Sequence, residues 1–146
     1  MSKRFVAYGK LYRAGKELYP DGPHIALDKL GYVLMASPER VPVMCDYLGH
    51  GTIGPDKVIG RAEFSVDGEY ITTKIVFNER WRKSYESLLQ CPKCRSKHRL
   101  GFVIRNCVSD KYTGEVATGI ITYVTIKPGN LGDEIERFGW EEDNNE

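Results

Sequence analysis

Residues 57–77 read KVIGRAEFSVDGEYITTKIVF, two runs rich in β-branched and aromatic side chains on either side of Asp67-Gly68. An Asp-Gly pair between two such runs is the strongest short-range hairpin signal, because the glycine accepts the positive φ that the favoured two-residue turns require. The runs on either side, Lys57–Val66 and Glu69–Phe77, are therefore predicted as paired strands. The same texture, short apolar stretches broken by Gly, Pro and Asp, extends in both directions and is the strand pattern rather than the 3.6-residue one. It predicts further strands at Arg4–Tyr12, Lys29–Ala36, Val41–Tyr47, Arg99–Val108 and Glu115–Ile126. A second hairpin is expected at Asp110–Gly114, where a glycine suits a four- or five-residue loop.

One stretch reads as helix. Asn78 is a good N-cap, Glu79 complements the helix dipole, and no Gly or Pro interrupts the run to Gln90. Trp81, Tyr85, Leu88 and Leu89 then form one apolar stripe, the usual means by which a surface helix attaches to a core. Ala14–Asp28, with Pro20-Asp-Gly-Pro23 at its centre, is expected as an irregular loop, and 141–146 as an acidic, disordered tail. The expected organisation is one domain over residues 1–140. Its class is mainly β with one or two helices (α+β), and 146 residues suffice for a real core.

The bulk numbers exclude several classes. With 21 basic against 20 acidic residues, the chain lacks the basic excess of a dedicated nucleic-acid binder, although a sum hides distribution. No apolar run approaches the roughly 20 residues that span a bilayer, and the first residues have no signal-peptide core. A cytoplasmic location is expected. There Cys45, Cys91, Cys94 and Cys107 read as thiols or metal ligands rather than disulfides.

Three ordered segments carry a resemblance. The first is Val41-Pro-Val-Met-Cys-Asp-Tyr-Leu-Gly-His50 followed by Val58-Ile-Gly-Arg-Ala62; the second is Leu100-Gly-Phe102; the third is Ile121-Thr-Tyr-Val-Thr-Ile-Lys-Pro-Gly-Asn130. In this order, with a helix and a hairpin between them, they resemble the prohead (head-maturation) proteases of tailed phages, whose fold is similar to that of the herpesvirus assemblins. The match covers roughly residues 30–135. It implies a small closed or partly open mixed β-barrel of the prohead protease/assemblin type. Each motif alone is weak: Gly60 and Gly101 also suit close backbone approach inside strands, and Pro128-Gly-Asn130 suits a turn.

The family's enzymes are serine peptidases, in which an imidazole takes the proton of a serine hydroxyl and a third group orients the imidazole. The resemblance places His50 at the base. At the nucleophile position it places Arg99, whose guanidinium stays protonated and cannot attack. The orienting position falls at about Ile120, which offers no hydrogen bond. Ser96 is the nearest alternative nucleophile, three residues upstream of Arg99 and about 10 Å away along an extended strand. Ser84 and Ser87 fall on the expected helix as surface hydroxyls, and His24 lies in the Pro-rich loop without a functional signal. Without the resemblance, His50 between two glycines reads as a loop residue.

Cys91-Pro-Lys-Cys94 followed by His98 is half of a zinc-site pattern, since two cysteines two residues apart can bind one metal. A closed structural site needs a fourth ligand, for which Cys107 and Cys45 are equal candidates. In the bland alternative both are buried small hydrophobes, and a redox Cys-x-x-Cys lacks its strand-helix context. Lys93, Arg95, Lys97, His98, Arg99 and Arg105 make this region locally basic, as a solvated loop often is.

These readings together predict a phage head-morphogenesis protein with a degenerate protease site. It would act in the host cytoplasm or in the prohead or virion, through coat or scaffold protein and its own copies, with structural zinc. Two rivals remain: an active serine endopeptidase of the same type, and a zinc-stapled module binding nucleic acid or protein.

Overall fold

The computed structural model describes residues 3–45, 58–78, 98–128 and 135–142. The chain forms seven strands: β1 (Lys3–Arg13), β2 (Arg40–Cys45), β3 (Val58–Asp67), β4 (Tyr70–Phe77), β5 (His98–Ser109), β6 (Val116–Pro128) and β7 (Ile135–Glu142). They lie in one mixed sheet in the order β5-β6-β2-β3-β4-β1-β7. Every ladder is antiparallel except that of β2 with β6.

The hairpin expected at Asp67-Gly68 is present. Asp67 pairs with Tyr70, and Gly68 has φ +61°. The β5–β6 turn is held by Asp110, whose carboxylate accepts hydrogen bonds from the Tyr112 and Thr113 amides at 2.7 and 3.2 Å, while Gly114 takes φ +74°. Along β4 the residues alternate without exception between the core (Ile71, Thr73, Ile75, Phe77) and the outer face. The core continues through Phe5, Ile59, Ile121 and Ile126, all fully buried.

The expectation of a closed or partly open barrel resolves to its coarser part. The sheet is open, and among the described residues no ladder joins β5 to β7. It nevertheless curls strongly, because β5 approaches β1 and β7 from the opposite edge. The rings of Tyr12 and Phe102 meet edge to face at 5.8 Å across the interior.

Two elements differ from the sequence reading. Lys29–Ala36 is no strand: Leu27–Lys29 is a 3-10 turn and Leu30–Ala36 a helix, α1. The run LGYVLMA is apolar almost throughout, so its periodicity does not separate helix from buried strand. Packing decides: Leu30 and Val33, one turn apart, are buried, while Tyr32 and Met35 face outward. Ser37 ends the helix, its hydroxyl donating to the Val33 carbonyl (2.7 Å) and accepting from the Ile121 amide of β6 (2.9 Å). The second difference is β7, which pairs Phe5 with Trp140, Ala7 with Phe138 and Arg4 with Glu141. Glu141 and Glu142, placed in the tail by the sequence, belong to the sheet; 143–146 lie outside the described residues. So does nearly all of the expected helix, residues 79–90.

The loop after β1 is irregular, as expected, but anchored. The Tyr12 hydroxyl donates to the Lys16 carbonyl and accepts from the Ile25 amide at 2.9 Å. Burial raises the Tyr12 pKa above the ordinary 10.0, and the bond from Ile25 opposes the shift. Tyr12→Phe leaves the buried Ile25 amide without its acceptor, an expected loss of about 1–3 kcal/mol in urea unfolding. Because the folded pKa is the higher one, the contribution of Tyr12 is complete below pH 10 and declines as pH rises through the folded value. The wild-type stability curve should therefore bend down in alkali more than that of the Phe variant.

Candidate functional site

The candidate residues gather, so far as the ladders place them, at one end of the sheet. Cys45, the last residue of β2, pairs with Ile126 of β6, and Ile126 pairs with Leu100 of β5. Two strand spacings separate the Cys45 and Leu100 backbones, about 10 Å. His98 pairs with Pro128 and Arg99 with Lys127 in the next positions toward the same end. The described part of β2 ends five residues before His50, and that of β5 begins four residues after Cys94. His50, Cys91, Cys94 and Ser96 themselves lie outside the described residues.

The parallel β2–β6 pair produces this arrangement. It carries the end of β2 alongside the strand that also pairs with the Arg99 segment. β3 begins at the same end, and Gly60 of the Ile-Gly-Arg motif shows why a glycine is needed there. A Cβ at this position would lie 2.4 Å from the Val76 carbonyl oxygen and 3.1 Å from the Phe77 Cα.

Two expected positions do not join the group. Ile120 pairs with Arg105, six residues along β5 from Arg99 and roughly 20 Å away. Ile120 and Arg99 therefore do not lie at the same place in the sheet. Cys107 is separated from His98 by nine residues of β5, roughly 25–30 Å, and the β5–β6 ladder shows no fold-back. It is exposed, and desolvation of part of its side chain raises its thiol pKa, the opposite of an activated cysteine. The Cys107 and His98 backbones are therefore too far apart along β5 to hold one metal ion together. Among the described residues no group of three or more His, Cys, Asp or Glu is placed to hold a metal.

One residue at this end was missed. Thr125 pairs with Gly101 and with Met44, two positions along β6 from the Lys127–Arg99 pair. It is 6% exposed, and among the described residues its hydroxyl has no hydrogen-bond partner. A buried hydroxyl is normally satisfied. The sequence did carry a signal, since Thr125 stands inside the third motif; it read there only as a strand residue.

No family model, curated protein or solved structure matches this chain. Functional inference therefore rests on the motifs and on the placement just described. Among the described residues no helix is long and apolar enough to cross a membrane.

Proposed function

We propose that the chain is a head-morphogenesis protein of a tailed phage, built on a prohead-protease-like domain and acting by association with coat or scaffold protein. The observation that carries this reading is the β2-β6-β5 arrangement. It sets the strand leading to His50 two strand spacings from the strand that begins His98-Arg99-Leu100. The three motif segments thus border one another, as a site assembled from them requires. Arg99 at the nucleophile position makes the site degenerate, so its role is to bind rather than to cleave. Structural zinc held by Cys91, Cys94, His98 and Cys45 would staple the 91–97 segment to the end of β2.

The test is co-sedimentation of the purified chain with coat or scaffold protein, followed by electrophoresis of the partner. Association without cleavage is the expected result, and absence of association overturns the proposal. Cleavage of the partner that disappears in His50→Ala would establish the rival reading, an active serine endopeptidase, instead.

A further inference from the structure

The edge of β6 that faces away from β5 is covered over only part of its length. β2 pairs with it at Val124, Thr125 and Ile126. The loop after β1 reaches it at Val116, whose amide donates to the His24 carbonyl at 2.8 Å. Between these two places the Ile121 amide donates to the Ser37 hydroxyl at 2.9 Å. Ala117, Thr118 and Gly119 stand in the remaining gap, beside α1, and among the described residues no strand pairs with them on this side. Alternate residues of a strand turn their amide and carbonyl to the same edge, so Thr118 presents both where Val116 does. Exposed strand edges are normally blunted by charge or proline, and this gap has neither. A groove of about 280 Å³ separates the edge from Tyr32, Val33 and Ala36 of α1, and among the described residues the one charged side chain lining it is Lys29. The Lys29 ammonium lies 5.3 Å from the Tyr32 ring centroid, a contact that holds the lysine stem at the rim. Val108, opposite Thr118 on β5, is 59% exposed and extends the apolar surface. Small-molecule sites have volumes of roughly 300–1,000 Å³, so this groove suits side chains rather than a cofactor.

We propose that this groove takes an extended peptide of a partner protein, added as a strand at Thr118, with an apolar side chain against Tyr32 and Ala36 and a carboxylate at Lys29. The surface lies at the far end of β6 from the candidate site and does not depend on the phage reading. In strand addition main-chain hydrogen bonds supply affinity, and pockets for alternate side chains supply selectivity. Thr118 offers the donor and acceptor, the groove offers the apolar pocket, and Lys29 sets the charge it favours. A helical peptide keeps its backbone groups for itself and leaves those of Thr118 unmet.

The experiment titrates the full chain with acetyl-Thr-Leu-Thr-Asp-Thr-amide and follows the Thr118 amide in proton–nitrogen correlation spectra. A saturable shift of that amide, with slowed hydrogen exchange, is expected. Ala36 is exposed, so Ala36→Trp fills the groove without entering the core and should weaken binding by about tenfold or more. Lys29→Glu should weaken it about fivefold and favour the peptide with lysine in place of aspartate by a similar factor. The same peptide N-methylated throughout keeps its side chains, loses every main-chain donor and should not bind. Absence of a Thr118 shift at about 1 mM peptide overturns the proposal. Equal binding of the N-methylated peptide refutes strand addition, and unchanged binding in Ala36→Trp refutes this groove. Self-association of the free chain that Ala36→Trp abolishes reassigns the groove to a second copy and equally overturns the proposal.

Discussion

Gly60→Ala is expected to lower the unfolding free energy by about 2–3 kcal/mol, and Gly60→Val by more. The added Cβ meets the carbonyl oxygen of Val76 at 2.4 Å, with the Phe77 Cα at 3.1 Å. Both are backbone atoms of β4, and β4 is held between β3 and β1, so neither can move without loosening a ladder on each side. For a domain of this length the loss corresponds to roughly 5–10 °C in Tm. Gly119→Ala is the control. Its Cβ would also meet an atom at 2.5 Å, but that atom is the Cδ1 of Ile104, the end of a side chain that can rotate. A cost below about 1 kcal/mol is expected there. Equal losses at the two positions in urea unfolding would show that close strand approach is not what Gly60 serves.

Metal removal should have the second large effect. A closed tetrahedral zinc site needs four ligands, and its binding free energy adds directly to folding free energy. The ladder bears on the fourth ligand: Cys45 ends a strand about two spacings from Leu100, whereas Cys107 stands at the far end of β5. The purified protein is expected to hold one zinc per chain by elemental analysis, and chelation should lower its Tm by several degrees or more. Cys45→Ser and Cys91→Ser should each lose the metal, and Cys107→Ser should keep it. Less than one zinc in four chains after expression with zinc supplied would remove the site. Retention by Cys45→Ser with loss by Cys107→Ser would reverse the ligand assignment.

Strand formation was legible where turn chemistry and alternation agreed. Asp67-Gly68 fixed one hairpin, and Asp110 with Gly114 fixed the other, because few residue types supply a positive φ or an Asx turn. The helix α1 was not legible. Leu30 to Ala36 is apolar enough to suit either period, and only contact with β6 through Val33, Ser37 and Ile121 selects the helix. β7 was missed because its acidic residues read as a tail, while its partner β1 lies more than a hundred residues away in sequence. Of the candidate site, the sequence marks residue types, and the strand ladders place only Cys45, His98 and Cys107. Residue types marked Cys91, Cys94, His98 and His50 as able to do chemistry. The distance of Cys107 from His98 along β5 follows from the strand ladder, which local pattern does not encode. Thr125 escaped notice because a buried hydroxyl without a partner among the described residues is a property of the packed sheet and not of its sequence.

The most direct test of the account is a two-dimensional nuclear Overhauser spectrum of the folded chain, read from the His50 imidazole protons. Cross-peaks to side chains at Arg99, Leu100 or Lys127 are predicted. Cross-peaks instead to Gly68 or Tyr112, at the opposite end of the sheet, would contradict it and remove the basis for the phage assignment.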